Sequence, residues 1–292
     1  MKQVFLVFLL AFGFVAGAQN VTVRKPKKQK PATTQVAPKK HKSQSKPTKG
    51  GTVKRVATKA SYSNGTLTVN GIKYSMVWVE GGTFRMGATS EQGSDAYSDE
   101  KPVHSVTLSG YYIGKTEVTQ ALWKVVMGSN PSSCKGDNLP VEQVSWNDCQ
   151  KFIRKLNSLT GQNFRLPTEA EWEFACRGGN NSRGYKYSGS NYIDNVAWYD
   201  GNSGDKTHPV GTKAPNELGI YDMTGNVWEW CADWYGDYSS GAQTNPKGPY
   251  DGSDRVCRGG GWGSLARLCR SSNRSYSYPT YRDGSLGLRL AL

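Results

Sequence analysis

Alternating apolar and polar positions open the folded part of the chain. Thr66 to Val69 alternates, Asn70-Gly71 is a hairpin-turn pair, and Ile72 to Val79 continues the pattern, which predicts two paired strands. Glu80-Gly81-Gly82-Thr83-Phe84-Arg85-Met86-Gly87 reads as a strand entered through glycines. Ser90 to Lys101 is polar and acidic and predicts a surface loop, after which Val103 to Ile113 returns to strand character. The period then lengthens to that of helices. Thr119 caps a first helix with Leu122, Val125 and Val126 turned inward. A second starts at Ser145 or Asn147 and puts Cys149, Phe152, Ile153 and Leu156 on one face. Thr168 and Glu171 form a capping box for a third, with Pro167 safely before the cap.

From Arg177 onward the pattern thins. Gly178 to Asn191 reads as loop, Asn195 to Asp205 mixes Asn, Asp and Gly with Trp198 and Tyr199, and Asn245 to Pro249 is a turn. Arg255 to Trp262 predicts a strand ending in Gly259-Gly260-Gly261-Trp262, and Leu286 to Leu290 a last strand. Between them lies GIYDMTGNVWEWCADW, Gly219 to Trp234, which fits neither a strand nor an amphipathic helix. It predicts a compact loop pinned by Trp228, Trp230 and Trp234. Either the Asp222 and Glu229 carboxylates join backbone carbonyls in the oxygen cage that calcium requires, or they only accept backbone N–H bonds in a tryptophan-rich core turn.

Composition divides the 292 residues into three parts. Residues 1–18 read as a signal peptide, with Lys2, an apolar run from Val4 to Val15, and Ala16-Gly17-Ala18 as the cleavage site. No cysteine stands there for a lipid anchor, and no later segment is apolar enough for a transmembrane helix. The mature protein is therefore expected to be exported, in the periplasm, at the cell envelope or secreted. Residues 19–60 read as a disordered linker: between Asn20 and Ala60 stand thirteen Lys/Arg, no Asp/Glu and no aromatic residue. With Lys2 these account for the whole net charge of +14, because residues 61–292 hold twenty-three Lys/Arg against twenty-three Asp/Glu. Such an arm either binds an anionic envelope polymer or membrane surface or is a solvated spacer. Without aromatics for base stacking it gives no reason to expect a specific nucleic acid partner. The six cysteines, all after residue 130, permit up to three disulfides and show no CxxC pair. His41, His104 and His208 are too scattered for a histidine metal site.

Residues 61–292 carry a family likeness. Val79 to Gly87, Lys115-Thr116-Glu117-Val118-Thr119, Pro140-Val141 with Val144-Ser145-Trp146, Phe164 to Trp172, Gly219 to Trp230, Arg255 to Trp262 and Gly287-Leu288-Arg289 resemble the formylglycine-generating enzymes, or sulfatase-modifying factors, in order and in kind. The resemblance implies a mixed α/β (α+β) fold with little regular structure, related to C-type lectins. It also implies two calcium sites. One would use Asn195, the Val196 carbonyl, Asn202 and the Gly204 carbonyl, and the other Asp222, Glu229 and the carbonyls of Gly225 and Val227.

Catalysis carries over less well. The family's enzymes bind copper(I) through two cysteines five residues apart, and here those positions hold Ser264 and Cys269. A serine hydroxyl is a hard, weakly acidic ligand and a poor substitute for thiolate on copper(I). The disulfide positions of the animal enzymes also differ, with Ile153, Arg274 and Leu290 at three of four and only Cys176 kept. A related branch uses three histidines on iron and an added helical domain, and this chain has neither. The sequence therefore favours an exported, non-catalytic binding or scaffold member with a protein or peptide ligand. The alternative is a copper-dependent oxidase that converts cysteine in Cys-x-Pro-x-Arg motifs of sulfatases to formylglycine.

Overall fold

The structure, a computed structural model, describes residues 58–292. The expected signal peptide and nearly all of the basic linker lie outside the described residues. Ala60, which the sequence reading gave to the linker, is already the first residue of a strand.

In chain order the strands and helices are β1 (Ala60–Ser63), β2 (Thr66–Val69), β3 (Ile72–Val79), β4 (Gly82–Met86), β5 (His104–Leu108), β6 (Tyr111–Gly114), α1 (Gln120–Met127), α2 (Trp146–Thr160), α3 (Glu169–Cys176), α4 (Ile193–Val196), β7 (Trp228–Trp234), β8 (Gln243–Thr244), β9 (Arg255–Arg258), β10 (Arg274–Ser277) and β11 (Leu286–Gly287). They form three small sheets, ordered β1-β2-β3-β6, β10-β9-β7-β11 and β4-β5-β8. Two-residue turns join β1 to β2 and β2 to β3. Asn64 and Gly65, like Asn70 and Gly71, all have positive φ, the backbone of a type I′ hairpin.

The helix caps sit where the sequence places them. Thr119, Ser145 and Thr168 each accept a backbone N–H from the first turn, and Ser145 and Thr168 belong to full capping boxes with Asp148 and Glu171. Leu122, Val126, Phe152, Ile153 and Leu156 join Leu67, Val69 and Tyr74 in one apolar cluster, in which Trp123 stacks on Phe152 at 4.8 Å. A second cluster centres on Trp172, Phe174, Ile220 and Val256.

Several expectations need correcting. Gly219 to Trp234 is not a loop throughout. Its second half is β7, held between β9 and β11, because Glu229 and Asp233 find partners inside the fold and no longer need water. Val103 to Ile113 is two strands, β5 and β6, in different sheets. The segment Ser90 to Lys101 is not wholly surface. It winds through two 3-10 turns and buries Gln92 and Glu100, whose side chains meet Arg270. The strand expected over Arg255 to Trp262 stops at Arg258, and β11 covers only Leu286–Gly287. Beyond β11 the backbone still pairs irregularly: Val118 donates to Leu288, Gly114 to Leu290, and Tyr112 and Leu292 exchange two hydrogen bonds. The six thiols are unpaired, so none of the bridges permitted by the count is formed. Among the described residues no helix is long and apolar enough to cross a membrane.

Candidate functional site

After β9 the glycine turn reverses the chain and brings Ser264 and Cys269 to its two sides. Gly261 N–H donates to Ser264 Oγ at 2.9 Å, and Ser264 N–H donates back to the Gly261 carbonyl at 2.9 Å. The hydroxyl thus closes the turn. On the other side, a side chain placed on Gly260 would run into Cys269 Sγ. Cys269 is fully buried beside Tyr187 and Val196, and burial pushes its thiol up to about 12. Cys257 packs with Cys149 in a different apolar cluster and does not complete a pair with Cys269. A copper(I) site of two thiolates does not fit these residues.

The loop Tyr221 to Val227 carries the second group of expected ligands. Asp222 adopts φ +58°, and its Oδ2 accepts the Gly211 N–H at 2.6 Å. Glu229 faces a guanidinium: Arg289 Nε and Nη2 donate to its carboxylate at 2.7–3.1 Å, and Trp172 Nε1 donates to Oε2 at 2.7 Å. Both Glu229 oxygens are thus already engaged by Arg289 and Trp172. Arg289 is fixed further by the carbonyls of Gly114 and Tyr221.

The acid that the sequence reading missed is Glu117. It is fully buried, its Oε1 accepts from Asn226 Nδ2 at 3.0 Å, and its Oε2 has no partner among the described residues. Burial, and then the Asp222 carboxyl beside it, push Glu117 well above the usual carboxylate range. Burial raises Asp222 as well. Two acids that cannot both ionise share a proton or take up a cation in its place. The only signal for this in the sequence was the place of Glu117 inside the Lys115 to Thr119 motif.

The first group of expected ligands is spread over α4 and the turn after it. The Asn195 carbonyl accepts from Ala214 N–H. Asn202 closes its own turn, with Oδ1 accepting Tyr199 N–H at 3.0 Å and Nδ2 donating to the Ala197 carbonyl at 3.0 Å. Val196 is buried in α4, and Gly204 is exposed. Of the four expected donors, the Asn202 side-chain oxygen is held within its own turn, and Asp194 Oδ1 lies 3.4 Å from Asn202 Nδ2. Among the described residues no three His, Cys, Asp or Glu side chains converge as candidate ligands of one metal ion. His104 lies edge-on to Tyr238 and His208 stacks on Trp198, while His41 lies outside the described residues.

Three small sheets, short capped helices and long structured loops define a mixed α/β domain of the formylglycine-generating type. A family model described as a sulfatase-modifying factor enzyme 1-like domain matches residues 67–292. The chain is 38% identical to the chaperone protein LppX of Paenibacillus barcinonensis over 73% of this chain and 86% of that one. It is 31% identical to the formylglycine-generating enzyme of Streptomyces coelicolor over 74% and 88%. Among solved structures, Treponema denticola variable protein 1 matches with a TM-score of 0.70 at 36% identity, covering 77% of this chain and 97% of that one. The chain belongs to the sulfatase-modifying factor family.

Proposed function

We propose that this chain is a non-catalytic member of its family, an exported module that binds a protein or peptide ligand. The observation that carries the reading is the Ser264 hydroxyl, which stands at the first copper-ligand position and is consumed in the glycine turn. The buried Cys269 thiol, with no second thiol in its cluster, supports it. A relative named as a chaperone fits a role in handling other proteins. Export rests on residues 1–18, and attachment to an anionic envelope polymer or membrane surface on the basic charge of residues 20–60.

The test is mass spectrometry of a Cys-x-Pro-x-Arg peptide incubated with the protein, copper(I), a reductant and oxygen. The expected result is an unchanged peptide, together with activity or tight copper(I) binding gained on Ser264→Cys. Conversion of the peptide cysteine by the natural chain, lost on Cys269→Ser, would instead establish the oxidase.

Calcium belongs to the same proposal, with Glu117 added to the donor set of Asp222, Glu229 and the carbonyls of Gly225 and Val227. Saturating calcium should raise the thermal unfolding midpoint by a few degrees, about 1–3 kcal/mol of linkage. Glu117→Gln should remove that rise. An equal rise in the variant would exclude Glu117 as a ligand.

A further inference from the structure

A cavity of about 380 Å³ opens on the side of the fold where β7 ends, and none of its lining comes from the Ser264–Cys269 turn. Its polar wall is the buried Asp233 with the Glu169–Arg274 ion pair beside it. Asp233 Oδ2 accepts the Glu169 N–H at 2.9 Å and so caps α3. Asp233 Oδ1 has no hydrogen-bond partner among the described residues and lies against Gly248 on the cavity lip, 3.2 Å from where a Cβ would stand. Met86, Pro246 and Pro249 give the cavity apolar walls, and the Tyr238 and His104 rings meet edge to face at 4.8 Å on another side.

The neighbouring acids each have a guanidinium. Glu169 is held by Arg274 at 2.6 and 2.8 Å, Glu100 by Arg270, and Glu173 by Arg258 and Arg177. Asp233 has no such partner. Arg274 is spent on Glu169. Arg255 lies between the Trp146 and Trp234 rings and donates to the Ala232 carbonyl. Lys247 stands exposed on the rim without an ion pair to Asp233, and Asp237 is exposed on the rim as well. The field at Asp233 is set by burial and by Glu169 and Glu171, which outweigh Arg274 and the capping N–H. A desolvated carboxyl without an ion-pair partner attracts a cation, and an alkyl stem suits walls of methionine and proline.

We infer that this cavity binds a primary ammonium group on an unbranched alkyl chain, as in a lysine side chain, with Asp233 as its counter-ion. The site is independent of whether the glycine turn is catalytic. With the cavity empty Asp233 is pushed up to about 8, so it holds a proton at neutral pH that the ammonium must release.

The experiment is calorimetric titration of the full chain with N-acetyl-lysine methylamide, in phosphate and in Tris, at pH 7 and pH 8. Expected are close to one proton released per probe at pH 7 and an affinity about fivefold higher at pH 8. N-acetyl-norleucine methylamide, which lacks the ammonium, should not bind. Asp233→Asn keeps an acceptor for the α3 cap and should lose at least tenfold in affinity, with no proton release. Equal binding of the norleucine probe, lysine binding without proton release, an unaffected Asp233→Asn variant, or no binding at millimolar probe would each overturn the inference. The probe and buffer comparisons use the natural chain, so they decide the matter even if the variant fails to fold.

Discussion

The half of the molecule built from β1, β2, β3, α1 and α2 and the half built from α3, β7, β9 and β10 bury their side chains by different means. In the first, Leu67, Val69, Leu122, Phe152 and Leu156 fill the interior, and polar groups are confined largely to caps and turns. In the second, Arg258, Arg270, Arg274 and Arg289 are all buried, each against a carboxylate. An apolar side chain is interchangeable with others of similar volume, whereas a buried guanidinium tolerates only its own partner. The first half should therefore be robust to conservative change and the second specific.

The sharpest test is Arg289→Leu. It leaves the Glu229 carboxylate buried without a cation and should cost about 3–5 kcal/mol in urea denaturation. The double variant Arg289→Leu with Glu229→Leu should recover much of that loss, and if it does not, the pair is irreplaceable for reasons beyond charge. In the apolar half, Leu156→Ala should cost about 3 kcal/mol by the same measurement. A much smaller loss would mean that the first core is loosely packed.

The pH dependence separates acids that have a guanidinium from those that do not. Glu169 and Glu91 sit below their ordinary range despite burial, Glu169 through Arg274 and Arg258, and Glu91 through its Thr89 hydrogen bond and Arg177. Their contribution is present above the unfolded carboxylate range and is lost as pH falls through their folded values. Asp233, raised to about 8, works the other way: its contribution is complete below about pH 4 and fades as pH rises towards 8. Stability of the natural chain should therefore fall between pH 5 and pH 8 relative to Asp233→Asn, by up to about 1.4 kcal/mol per pH unit. Parallel curves for the two proteins would show that Asp233 titrates normally.

The same contrast explains what could be read in the sequence. Asn70-Gly71, Thr119, Ser145 and Thr168 act on their own neighbours, so local pattern was enough to find them. The apolar face of α2 was legible for the same reason. Glu100 looked like a surface acid because its partner Arg270 lies 170 residues away. β7 was hidden because Glu229 and Asp233 spoil its alternation, and the groups that accept them, Arg289 and the start of α3, are distant in sequence. Ser264 and Cys269 were placed by motif alone, and the structure adds the hydrogen bond to the one and the burial of the other. Glu117 was marked only by its place in the Lys115 to Thr119 motif, since its environment is assembled from the distant Asp222 and Asn226.

The segment Leu286 to Leu292 pairs with β7 on one side and with the backbone of Tyr112, Gly114, Val118 and Arg165 on others, and Arg289 reaches Gly114 across 175 residues. Assembly of this kind has a temporal consequence. β3 and β6 can meet early, but the edges that the segment covers stay open until it arrives, and such long loop closures are slow. Folding should be gated by this one late clasp. Through that interval the chain exposes unpaired strand edges, the condition in which a protein most needs a holding partner.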